Sequence, residues 1–194
     1  MDKVIEIVPY KPGWPDEFRQ IASILRRGLG ELALRIDHIG STAVPGLSAK
    51  DVIDIQITVT ALDERIISAM TVIGYTLPDG VWECIADHFP PNFAGPRSEW
   101  EKLIFLPPPD QRGTHTHVRI QGRANQRYAL LFRDYLRTHP ATAGAYAELK
   151  RRLVQSLSDL RAYPEVKDPA VDLIYLAAED WAAAAGWQPG LTDA

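Results

Sequence analysis

Cysteine is nearly absent from this 194-residue chain: Cys84 stands alone, so no disulfide can close within it and no thiolate cluster can hold zinc. A reducing compartment is the expected setting, and the lone thiol reads as a small core residue. Long apolar runs are missing as well. No window approaches the roughly 20 apolar residues of a membrane span, and the charged start Met1-Asp2-Lys3 lacks the apolar stretch of a signal peptide. Together these predict a cytoplasmic location and no membrane partner. Positive charge is not in excess either. The 21 Lys and Arg against 25 Asp and Glu leave a formal net charge of −4, which argues against general nucleic-acid binding, where a basic domain or stripe is expected. No internal repeat or low-complexity tract is found.

What is present is the balance of an ordinary globular protein, 46% hydrophobic and 24% charged, enough for one sizeable core. Val4 to Val8 alternates around Glu6 and reads as a short strand. From Pro15 to about Leu29 the apolar positions Phe18, Ile21, Ala22, Leu25 and Leu29 recur at three and four, which predicts a helix. Asp16 and Glu17 suit its start, Arg26 and Arg27 its end, and Gly28 and Gly30 stop it. Leu34–Ile39 and Val52–Val59 read as strands, and Thr60 with Asp63 opens a helix to about Ile73. Val81–Ile85, Lys102–Leu106 and Thr114–Ile120 have strand composition between proline-rich loops.

The final third predicts helices over about Asn125–Arg137, Pro140–Leu157 and Pro169–Ala185. Asp168-Pro169 serves as N-cap and first turn of the last, and Thr192-Asp193-Ala194 reads as a frayed end. The order gives an α/β (α+β) fold in one domain over residues 1–194. A mixed sheet with flanking helices fills about 1–120, and a helical C-terminal cap fills about 125–187.

Chemistry concentrates in His38-Ile39-Gly40-Ser41-Thr42-Ala43-Val44-Pro45-Gly46-Leu47-Ser48-Ala49-Lys50, a loop that runs into a strand carrying Asp54. Glycines permit close backbone approach, Gly40, Ser41 and Thr42 offer amides and hydroxyls, and Lys50 adds a cation, so the loop is expected to cradle a phosphate. Asp54 would hold a metal beside that anion. His38 is expected to orient the loop through a structural hydrogen bond. His115 and His117 alternate on a strand and therefore share a face, with Arg112 and Arg119 nearby as anion partners.

These residues also carry a resemblance. The Gly40–Leu47 core, Pro9–Pro15, Thr114–Val118, Leu131–Pro140 and Tyr146–Lys150 resemble the GrpB family, which belongs with the nucleotidyltransferase superfamily, and the likeness runs nearly end to end. It implies a nucleotidyltransferase-like fold, and it is shared with domains appended to some bacterial dephospho-CoA kinases. In nucleotidyltransferases a Gly-Ser turn grips the triphosphate and two alternate carboxylates on the next strand hold magnesium. Gly40-Ser41 and Asp54 match that pattern, but the second acidic position is Gln56. The resemblance also includes a Tyr163-to-Lys167 segment, which implies Lys167 as a residue closing over a bound anion.

Three functions follow as expectations. The first is binding of a nucleotide or other phosphorylated small molecule at Gly40, Ser41, Thr42, Lys50, Arg112 and Lys167, with nucleotidyl transfer through a divalent metal, Mg2+ or Mn2+ ahead of Zn2+. The second is a noncatalytic ligand-binding or regulatory module, in keeping with Gln56. The third is a metal-dependent hydrolase in which Asp54, His115 and His117 are both the metal ligands and the catalytic set. Arg133 with Asp134, and Lys150 with Arg151 and Arg152, are read as the wet face of the helical cap. Trp14, Tyr10, Tyr75, Trp181 and Trp187 are read as core aromatics.

Overall fold

The computed structural model describes residues 5–78 and 84–194. Its sheet contains β1 (Arg35–Ile39), β2 (Ile53–Val59), β3 (Ile85–Ala86), β4 (Glu101–Phe105) and β5 (Thr114–Ile120) in the order β1-β2-β5-β4-β3. The central β2 and β5 run parallel, and every other neighbouring pair is antiparallel. Around this mixed sheet lie α1 (Trp14–Leu29), α2 (Glu64–Val72), α3 (Ala124–Thr138), α4 (Pro140–Ser156) and α5 (Tyr163–Ala185).

Alternation along the strands sets the layers, because neighbouring side chains project to opposite faces. Ile53, Ile55 and Ile57 of β2, Leu103 and Phe105 of β4 and Val118 of β5 form one core with α1 and α2. In α1 the three-and-four spacing delivers Phe18, Ile21, Ala22, Leu25 and Leu29 to that core, all buried, the larger of them contributing about 1.5–3 kcal/mol each. The intervening residues turn the sheet's other face polar: Asp54, Gln56, His115, His117, Arg119 and Lys102. A second apolar cluster joins α3, α4 and α5 around Leu131, Leu136, Tyr146 and Ala178, and Val44 and Leu47 of the signature loop are buried in it.

Several expectations change. Val8 makes only a bridge to Ala49, residues 5–7 join no strand, and Val4 lies outside the described residues. Of the strand expected at Val81–Ile85, residues 81–83 lie outside the described residues, and Ile85 begins the short β3. The last helix starts at Tyr163 with Pro164 in its first turn, and Pro169 sits inside it. Burial of Tyr163 anchors the extra turn, while Pro169 forgoes one i→i−4 bond.

The chain end is not frayed. Thr192 Oγ1 accepts from the Ile36 amide and donates to its carbonyl, and Asp193 accepts from the His38 amide. The tail thereby covers the edge strand β1. Trp14 and Tyr75 are fully buried in the core, and Trp181 and Trp187 pack against the helical cluster.

A candidate anion-binding site

β1 ends at Ile39, and Gly40 turns the chain with φ 69°, a left-handed value that glycine adopts without penalty. Space demands glycine too. A Cβ here would stand 2.8 Å from Asp54 Cγ, because Ile39 and Asp54 pair across β1 and β2. The turn Ser41–Ala43 follows. Thr42 is buried away from the cavity, its hydroxyl 3.0 Å from His38 Nε2. Burial above all draws the His38 imidazole down to about 4, opposed by Asp54 and Asp193. A neutral ring stacked on Phe18 at 4.8 Å results, which fixes the start of the loop.

Only the two ends of the loop reach the cavity, which measures about 510 Å³ and is lined by Gly40, Ser41, Ala49 and Lys50. The middle of the loop faces the helical cluster instead. Four of its amides, those of Ala43, Val44, Leu47 and Ala49, already donate to backbone carbonyls. The expected cradle of loop amides is therefore reduced, since three of those donors are spent on the turn itself and that of Ala49 on Val8.

Ammonium groups stand at the cavity instead. Lys50, Lys150 of α4 and Lys167 of α5 line the same cavity. Lys150 Nζ donates to Ser41 Oγ at 2.9 Å and to the Ser48 carbonyl at 2.5 Å. Lys50 Nζ lies 4.2 Å from the centre of the Tyr163 ring, and Lys167 Nζ is 3.3 Å from Asp168.

Lys150 is only 3% exposed. Burial first, then the like charge of Lys167, draws its ammonium down to about 7, with Asp54 pulling the other way. Lys150 thus departs from the wet face expected of it, although the neighbouring Arg152 is exposed as anticipated. Arg133 departs likewise: it is buried, donating to the His38 carbonyl and to Asp193. Charge runs mark wet faces only when no partner waits across the fold. The i,i+4 spacing of Tyr146 and Lys150 was the available signal, since it places both on one helix face. Lys150 Nζ indeed lies 4.6 Å from the Tyr146 ring.

Opposite the lysines, the parallel register pairs Asp54 with His115, and His115 Nδ1 lies 2.9 Å from Asp54 Oδ1. His117 lines the cavity too, but its buried Nδ1 finds no hydrogen-bond partner among the described residues. Burial, followed by the charges of Arg119 and Lys102, holds that ring well below its ordinary pKa.

Gln56 is wholly buried. Its amide oxygen accepts from Arg119 at 2.7 Å, and its nitrogen donates to the Gln126 carbonyl at 3.1 Å. Arg119 and Lys102 in turn both pair with Asp87. Where a second carboxylate would join Asp54 on a metal, an amide held by a guanidinium stands.

Among the described residues no three His, Cys, Asp or Glu groups are arranged to hold a metal ion, so Asp54, His115 and His117 do not gather as a metal triad. The cations beside His117 would also repel a divalent ion. The two-carboxylate metal arrangement does not fit these residues. Arg112 lies elsewhere, paired with Glu17 and Asp51. Asp51 also accepts from Lys11 at 2.5 Å and from Trp14 at 2.8 Å, so Arg112 braces α1 against the start of β2 and is not among the cavity residues.

Comparison with known proteins agrees with this architecture. The family described as GrpB protein matches residues 4–176. A dephospho-CoA kinase of Mycolicibacterium paratuberculosis is 35% identical over 202 residues, covering 95% of this chain and 48% of that protein. The chain thus spans about half the length of the dephospho-CoA kinases it matches. A UPF0157 protein of Pseudomonas aeruginosa is 34% identical, covering 88% of this chain and 66% of its own length. The crystal structure of conserved protein GrpB from Enterococcus faecalis superposes with a TM-score of 0.70 at 28% identity, covering 91% of this chain and 99% of that one. The chain belongs to the GrpB family.

Proposed function

We propose that this chain binds a phosphorylated small molecule, a nucleotide foremost, between the polar face of its sheet and its helical cap. One observation carries the reading: Lys50, Lys150 and Lys167 converge beside Ser41 in a single cavity. Like charges held together in a poorly hydrated site repel one another, and an anion seated among them relieves that repulsion. The cavity volume falls within the range of small-molecule sites. Trp100, Tyr128 and Phe132 line it as well, an aromatic surface suited to a base. The Gly40-Ser41 turn ahead of Asp54 supports the same reading, as does the kinship with proteins named dephospho-CoA kinase.

Binding without metal-dependent transfer is favoured by Gln56, whose amide is already committed to Arg119 and Gln126. Titration calorimetry with ATP, GTP, CTP, UTP and dephospho-CoA, in EDTA and again in magnesium, tests it. Heat with at least one ligand, retained in EDTA, is the expected result. Lys167→Met should weaken that binding about tenfold, the scale of one charge-assisted hydrogen bond, and Arg112→Met should leave it unchanged. No heat with any ligand overturns the proposal. Heat only in magnesium would return Asp54 to a metal.

A further inference from the structure

A second cavity, of about 880 Å³, opens beside the first, and the two share Lys50, Val52, His115 and Pro164 in their walls. They are therefore two chambers of one cleft, joined over a saddle next to the lysine cluster. Their chemistry differs. In the first chamber five lysine and arginine side chains, the three converging lysines among them, face three carboxylates beside the aromatic wall. The second is bordered by Glu6, Asp51, Asp159 and Ser158, and apart from the shared Lys50 its cation is Arg161, already paired with Asp159 at 2.9 Å. A second phosphate gains little there, because Arg161 is committed to Asp159, and Lys11 and Arg112 are committed to Asp51. A neutral group rich in hydroxyls does, since carboxylate and serine oxygens accept its hydrogen bonds.

We infer that the ligand is a nucleoside diphosphate conjugate, with base and diphosphate in the lysine chamber and a neutral, hydroxyl-bearing substituent crossing the saddle into the second. This rests on the phosphate-binding reading of the lysine chamber and adds its substrate class. A diphosphate suits the position, because it carries charge for the ammonium groups and can bear an organic group on each side.

The test compares UDP with UDP-glucose and ADP with ADP-ribose by calorimetry, using the full chain and its Ser158→Trp variant. Ser158 is exposed and borders only the second chamber, so a tryptophan there fills that space without entering the core; a melting curve checks folding. Each conjugate should bind about tenfold more tightly than its parent diphosphate, the scale of one hydrogen bond from a hydroxyl to a carboxylate. Ser158→Trp should erase both advantages and leave UDP and ADP unchanged. Equal affinity of conjugate and parent overturns this inference and leaves the phosphate site standing. An advantage that survives in Ser158→Trp overturns the placement of the substituent. Failure of all four compounds to bind overturns the phosphate site and the inference with it.

Discussion

Replacing Lys150 by Met should change the pH dependence of stability in a way that can be calculated. The folded chain holds this ammonium near a pKa of about 7, against 10.5 for an ordinary lysine. Between those values the unfolded chain binds more protons than the folded one, so this group makes stability rise with pH. Below pH 7 both states are protonated and the penalty for burying the charge is constant and at its largest. The slope approaches about 1.4 kcal/mol per pH unit within the window, which amounts to about 2 kcal/mol between pH 7 and pH 9 once half-protonation at pH 7 is counted.

Met keeps the length and loses the charge, so the variant lacks this slope. Urea denaturation of both proteins at pH 7, 8 and 9 measures it, with the stability difference (variant minus parent) falling by about 2 kcal/mol across the range. Titrating groups remote from Lys150 cancel in that difference. Parallel curves would refute the placement of a depressed ammonium beside Ser41. The same chemistry predicts that an anion bound there draws in a proton at pH 8, which calorimetry in buffers of different ionisation enthalpy reads directly.

Two further substitutions probe the loop. Gly40→Ala should cost about 1–3 kcal/mol for the left-handed backbone alone, with the contact on Asp54 added, and should lower the melting temperature. Adding Asp54→Ala should recover only part of the contact cost, because the Cβ of residue 54, 2.9 Å away, remains. Leu47→Ala should cost about 2–5 kcal/mol, seen in the urea midpoint, because Leu47 plugs the helical cluster; a change confined to ligand affinity would contradict that assignment.

Local rules wrote much of this fold into the sequence. The spacing of Phe18, Ile21, Leu25 and Leu29 specifies α1, and the alternation in Ile53 to Val59 and Thr114 to Ile120 specifies both strands and which residues share a face. Gly40 announced its own turn. The cation cluster was less legible, because Lys150 meets Ser41 across 109 residues and only its i,i+4 spacing from Tyr146 sets it apart from Arg152. The middle of the signature loop misled for a related reason. Val44 and Leu47 sit in a stretch that reads as ligand-facing, yet tertiary packing turns them toward α3, α4 and α5. Arg112 was near the right strand, but its carboxylate partners Glu17 and Asp51 claimed it first.

The tether formed by residues 40 to 47 has one more implication. Its first residues touch the cleft and its last are seated among the C-terminal helices, while Lys150 and Lys167 return from those helices to the same cleft. A cut after residue 120 would therefore leave no half-sized receptor behind. On the proposed reading the ligand's grip would be divided between sheet and cap, and occupancy would be felt as a tightening of one against the other.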